Sequence, residues 1–111
     1  FRSKTFYCDQ TSPKIIHQMW GHKDLLRDFD IIIEDGLHEF LPNVTFLENS
    51  LHKIKKRGYF IIEDISIGEI FNWTEYFKKN RDKYSGYEYN FISLDCEYNR
   101  YDNNLIVIRK K

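Results

Sequence analysis

A chain of 111 residues suits one domain with one core, and 41% apolar content with 17% aromatic side chains supplies that core and argues against disorder. Seventeen basic and seventeen acidic residues cancel to zero, which rules out the basic footprint of a nucleic-acid binder. No apolar stretch approaches the ~20 residues that span a bilayer, so no membrane segment is expected.

Phe1-Arg2-Ser3-Lys4 offers no initiator Met and runs straight into Thr5-Phe6-Tyr7-Cys8, so the chain reads as a piece cut from something longer. Residues 5–8 form the first predicted strand, which stops at Asp9-Gln10. Ser12-Pro13 then supplies an N-cap and a first-turn proline. Ile15, Ile16, Met19 and Trp20 follow at helical spacing, predicting a helix from 13 to 20, extendable to 27. Residues 30–34 are the second strand. Pro42 marks the start of a second helix whose apolar face is Leu47, Leu51 and Ile54, with Gly58 as the C′ glycine that ends it. On that reading Lys53, Lys55, Lys56 and Arg57 are cations placed at a helix C-terminus, where the macrodipole favours them.

Residues 59–63 are the third strand. Ile70, Trp73 and Phe77 line a third helix that fades near Asn80. The strand-like runs 87–94 and 104–109 are separated only by the polar loop 95–103, a connection short enough to demand an antiparallel pair. Tyr7, Trp20, Trp73 and Phe77 are expected in the core, and His17, His22 and His52 in solvent. Cys8 and Cys96 lack metal-type spacing and read as reduced thiols of a cytosolic protein. Asn43-Val44-Thr45 and Asn72-Trp73-Thr74 match the glycosylation sequon, but with no signal-peptide pattern in view they read as chance matches.

The informative feature is how two of these strands end. Phe29-Asp30-Ile31-Ile32-Ile33 stops at Glu34-Asp35-Gly36-Leu37-His38, and Tyr59-Phe60-Ile61-Ile62 stops at Glu63-Asp64, 29 residues beyond Asp35. Continuous apolar runs of this length read as parallel strands buried on both faces. Ligands of open α/β sheets bind just past the carboxyl ends of such strands. Two carboxylates and an imidazole are therefore expected to share one site. Taken singly, Asp35 before Gly36 also reads as a turn residue, His38 as a residue near a helix start, and Asp64 as a cap.

Three strand-helix units followed by a hairpin resemble the second half of the class I S-adenosylmethionine-dependent methyltransferase fold. The expected class is α/β and Rossmann-like: a partial methyltransferase domain over residues 1–111, with three parallel strands and their helices, then an antiparallel pair. Glu34-Asp35-Gly36-Leu37-His38 resembles the Asp-Asp-Gly-Ser-His motif of macrocin-type sugar O-methyltransferases and the related cephalosporin hydroxylase-like enzymes. Arg57-Gly58-Tyr59-Phe60-Ile61-Ile62-Glu63-Asp64 resembles their Gly-Gly-Tyr-apolar-Glu-Asp motif, and Asp9-Gln10 their Gly-Asp-Gln element.

The resemblance implies S-adenosylmethionine and Mg2+ as cofactors, a sugar or glycoside hydroxyl as acceptor, Asp35 and Asp64 as metal ligands, His38 as the general base, and Asp9 with Gln10 at the cofactor. Glu34, Leu37 and Arg57 depart from the motifs, and the glycine-rich cofactor loop would lie upstream of Phe1. The isolated chain is therefore expected to be inactive, and either to self-associate through an exposed strand edge or to bury that edge by rearrangement. Competing expectations are a non-catalytic Rossmann-like binding or assembly module and, more remotely, a receiver-type phosphoacceptor, which needs an aspartate pair on its first strand, where only Asp9-Gln10 sits, and a lysine at a late strand end.

Overall fold

The two runs that end in acidic pairs form one edge and the centre of a single sheet. The computed structural model describes residues 4–94, 98 and 101–111. Within them, β1 (Phe29–Glu34) pairs in parallel with β2 (Ile54–Ile65), Ile31 lying opposite Tyr59 and Glu34 opposite Ile62. β3 (Tyr87–Ser93) and β4 (Asn104–Lys110) are the predicted antiparallel pair, and β4 also runs antiparallel to β2, giving the order β1-β2-β4-β3. The α/β class holds.

One predicted strand is missing. Residues 5–8 are neither helix nor strand, so the parallel part has two strands rather than three. In a doubly wound sheet ordered 3-2-1-4-5, the third strand bonds to the second, not to the fourth. Among the described residues nothing offers residues 5–8 that ladder. The segment is held instead by side chains: Lys4 pairs with Asp24 at 3.0 Å and the Phe6 ring meets His22 edge-on at 4.8 Å. Tyr7, expected in the core, is 99% exposed. Asp9 thus does not end a strand, which removes the receiver-type reading.

Helix α1 (Pro13–Trp20) begins as its sequence dictates, with Ser12 accepting the Ile15 N–H and proline in the first turn. Helix α2 (Phe40–Glu48) starts two residues before Pro42. Proline costs nothing there, because the first four N–H groups of a helix have no partner inside it. The helix also ends early. Asn49 closes it by turning its N–H and its carboxamide onto the Thr45 carbonyl. Leu51 and Ile54 are buried all the same, Leu51 in a 3-10 turn and Ile54 as the first residue of β2. Their spacing marked burial rather than helix.

Gly58 is therefore not a helix terminator; it lies inside β2, where the register against β1 slips between Phe29 and Ile31. The positive φ falls on Arg57 (69°), and Gly58 is needed for space: a Cβ there would sit 2.8 Å from both the Asp30 and Lys55 carbonyl oxygens. The basic cluster is likewise strand and turn, not helix end. Lys53 is buried with its ammonium 5.7 Å from the Trp20 ring centroid.

Helix α3 (Ile70–Lys79) matches expectation, Trp73 and Phe77 being buried and Asn80 its C-cap. All three helices feed one core, in which Ile32, Phe60, Ile62, Ile106 and Ile108 face Leu47, Trp73 and Phe77, with Trp20 packed alongside. Among the described residues the opposite sheet face is uncovered. Ile31 and Ile33 are 54% and 55% exposed, so β1 is buried on one face only, against the sequence-based expectation of two.

Asn43, in the first sequon, is buried, and Cys8 is a free, half-buried thiol. Cys96 and most of the loop 95–103 fall outside the described residues. Among those described, no helix is long and apolar enough to cross a membrane.

Candidate functional site

The carboxyl ends of β1 and β2 are adjacent because the strands are parallel neighbours, and side chains at those ends converge. Asp35, His38 and Asp64 each bring a ligand atom within 4.8 Å of the others. His38 Nε2 lies 2.9 Å from Asp35 Oδ1 and 3.4 Å from Asp64 Oδ2. The cluster is open to solvent, with the three side chains 38–54% exposed.

Its backbone is unusual. Among the described residues only His38, Arg57 and Asp64 combine a side chain with positive φ, at 57°, 69° and 55°. Two of those three belong to the cluster, and such conformations cost of order 1 kcal/mol or more and concentrate at functional sites. At Asp64 the cause is visible in the ladder. Between Ile62 and Ile65 β2 advances three residues while its partner β4 advances two, from Ile106 to Asn104. This bulge carries Glu63-Asp64 and lets Phe60, Ile62 and Ile65 all point into the core despite their uneven spacing. Asp64 is thereby turned out of the strand alternation and toward Asp35.

The charges interact as their spacing requires. The hydrogen bond to Asp35 raises the His38 pKa above its usual 6.5, with Asp64 adding to the effect and partial desolvation opposing it. Asp64 is pushed above the ordinary carboxylate value, first by burial and then by its hydrogen bond with Asp35, while His38 pulls it down. Two carboxylates this close resist joint ionisation unless a cation intervenes. Here the imidazole ring occupies the place between them.

A divalent ion of the Mg2+ type suits this donor set, since it takes oxygen ligands and keeps several waters, so two carboxylates suffice from the protein. Asp35 and Asp64 are the carboxylates that could hold such an ion, with the His38 imidazole beside them.

Asp9 and Gln10, expected at the cofactor, are not among the three clustered side chains, although Gln10 borders the loop that carries Asp35 and His38. They line an open hollow of about 510 Å³ together with Tyr7, Cys8, Ile15 and Leu37. The Asp9 carboxylate accepts from the Thr11 hydroxyl and N–H, bonds that lower its pKa, and so closes its own turn. Gln10 is fully engaged: Oε1 accepts the Leu37 N–H at 2.9 Å, and Nε2 donates to Glu34 Oε1 at 2.9 Å and Asn43 Oδ1 at 3.4 Å.

Sequence reasoning gave Glu34 only as part of the motif and a departure from it, gave Asn43 only as a sequon residue, and did not single out Glu69. Glu34 is 3% exposed and accepts the Gly36 N–H, and Glu69 accepts the Phe40 N–H at the start of α2. A period-two reading of β1 would have put Glu34 on the buried face with Ile32. Nothing local marks Asn43 or Glu69.

The arrangement of these elements has a counterpart in part of a methyltransferase fold. No family model and no curated protein matches the sequence. Among solved structures, the MycE methyltransferase from the mycinamycin biosynthetic pathway, in complex with Mg and SAH, is similar with a TM-score of 0.61 and 15% identity. The match covers 96% of this chain and 32% of that one, so the chain spans about a third of the length of that methyltransferase.

Proposed function

We propose that this chain is the C-terminal part of an S-adenosylmethionine-dependent, magnesium-dependent O-methyltransferase acting on a sugar or glycoside hydroxyl. The observation that carries the reading is the convergence of Asp35, His38 and Asp64 at the carboxyl ends of two adjacent parallel strands. The methyltransferase-like fold, and the resemblance of both strand-end motifs to those of sugar O-methyltransferases, support it.

In this reading Asp35 and Asp64 hold Mg2+, which when bound orients neighbouring hydroxyls and lowers their pKa. S-adenosylmethionine, when bound, would supply the methyl group from its sulfonium and leave as the neutral thioether S-adenosylhomocysteine. The His38 imidazole would take the proton of the acceptor hydroxyl. Asp35 and Asp64 orient the imidazole for that transfer and stabilise the imidazolium that results. Asp9 and Gln10 line the hollow assigned to the cofactor, and Gln10, with no free polar atom, shapes it rather than donating to it.

Methyl transfer by the full-length protein carrying these residues tests the proposal. EDTA is expected to abolish turnover and Mg2+ to restore it. Asp35→Asn and Asp64→Asn are each expected to abolish metal-dependent activity and weaken metal affinity. His38→Ala is expected to leave metal and cofactor binding nearly intact while lowering turnover about 10²–10⁴-fold. Unchanged transfer in EDTA, or wild-type turnover in His38→Ala, would overturn the assignment. One observation favours a second reading, a non-catalytic binding or assembly module: the uncovered apolar face of β1. Wild-type protein inactive toward every sugar acceptor, yet saturably binding another chain through that face, would select it.

A further inference from the structure

We infer that Gln10 is a positioning residue that sets the loop between Asp35 and His38 by bracing it against the buried Glu34 and Asn43. The inference rests on the proposed role of that loop in holding a divalent ion and a base. Only two residues separate Asp35 from His38, and the N–H groups of both are taken: Gly36 donates to Glu34 Oε1 at 2.8 Å and Leu37 to Gln10 Oε1 at 2.9 Å. Fixing these two peptide planes fixes the approach to His38, which stands at φ 57°.

The orientation of the Gln10 carboxamide is dictated by its partners. A backbone N–H can meet only Oε1, so Nε2 must face Glu34 and Asn43, both of which offer oxygen. Glu34 and Asn43 are 3% and 1% exposed, so the brace stands on groups that cannot move into solvent. Gly36 belongs to the same device, since a Cβ there would run into the Gln10 carboxamide and the Glu34 carboxylate. Gln10 comes from a turn 24 residues before Glu34 and outside the sheet, so the segment that failed to become a strand still controls the site.

The test uses the full-length protein, Mn2+ titration followed by electron paramagnetic resonance, and the amide and imidazole signals of Leu37 and His38. Gln10→Ala is expected to weaken Mn2+ binding about tenfold or more, as loss of a group supporting metal ligands does. It should also shift the Leu37 amide upfield and move the His38 ring signals, leaving the Trp73 indole signal in place. Gln10→Glu sets two carboxylates together and is expected to be impaired. Gly36→Ala, whose Cβ would displace the Gln10 carboxamide, is expected to weaken Mn2+ binding and shift the same Leu37 and His38 signals, and adding Gln10→Ala to it is expected to cause little further loss. Two independent structural defects would add instead.

Wild-type Mn2+ affinity with unmoved Leu37 and His38 signals in Gln10→Ala overturns the inference, as do additive losses in the folded double variant. Should Gln10→Ala not fold, Gly36→Ala decides. If the wild-type protein binds no divalent ion, the metal reading falls, while the Leu37 and His38 signals still decide the role of Gln10.

Discussion

His38 is held between two carboxylates, and that geometry sets a pH response whose sign can be worked out. Its folded pKa is raised, so the stability it contributes is complete below its unfolded value of 6.5 and is lost as pH rises through the folded value. Asp64 is also raised, so the folded state holds a proton there that the unfolded chain releases above 3.8, and stability again falls with rising pH. The two effects act in the same direction, at different pH. In EDTA the melting temperature is expected to decline between about pH 6 and 8 as the imidazolium is lost and Asp35 and Asp64 face each other. Mg2+ added above pH 8 is expected to recover it, and Asp35→Asn to flatten the decline. High salt should shrink the effect, because the groups are largely exposed. A melting temperature flat across this range and indifferent to Mg2+ would count against the cluster as drawn.

The second strand, β2, carries two irregularities, and each has a separate cause. At its carboxyl end the bulge at Glu63-Asp64 aims a ligand while keeping Ile65 in the core. At its amino end Gly58 admits two carbonyl oxygens of the neighbouring backbone. Backbone cannot step aside as a flexible side chain can, so Gly58→Ala must distort the β1–β2 ladder. Overpacking of this kind costs about 1–3 kcal/mol, which in a domain of this size lowers the melting temperature by roughly 4–8 °C per kcal/mol. Gly68 is the control: an added Cβ there meets nothing within 4 Å. Gly68→Ala is expected to stay within about 0.5 kcal/mol of wild type. Thermal denaturation of both variants measures the contrast, and equal effects would show that the close approach at Gly58 is not the constraint.

At the scale of the whole molecule, the described residues cover the sheet on one side only. Helices α1, α2 and α3 all pack toward one core, while Ile31, Ile33 and Tyr59 stand 39–55% exposed on the other face, with β1 as a sheet edge. An apolar face beside an unpaired strand edge is a site for association. The 111-residue chain is expected to associate as its concentration rises. Ile31→Lys with Ile33→Lys should suppress this without unfolding the core, since neither side chain belongs to it. Sedimentation velocity over a concentration series reads the outcome. A monomer at every concentration, with sharp amide spectra, would refute the expectation.

Local signals determined much of this protein. Ser12-Pro13 started α1, the Ile70, Trp73 and Phe77 spacing produced α3, and the short polar loop before Asn104 required an antiparallel pair. The acidic strand ends were legible because parallel strands bring their carboxyl ends together whatever else the chain does. The rest depended on partners distant in sequence. Residues 5–8 have strand chemistry, but a strand exists only when another offers a ladder. Ile31 and Ile33 are as apolar as Ile32, and only the sheet's uncovered face makes them exposed. Leu51, Ile54 and Gly58 fit a helix and its terminator equally well, because a core position looks the same from a turn or a strand. Gln10 and Asp64 acquire their roles through contacts 24 and more residues away and through a bulge that only pairing reveals. Composition and periodicity record what a segment prefers, whereas the hydrogen-bond partners and the covered face are properties of the assembled sheet.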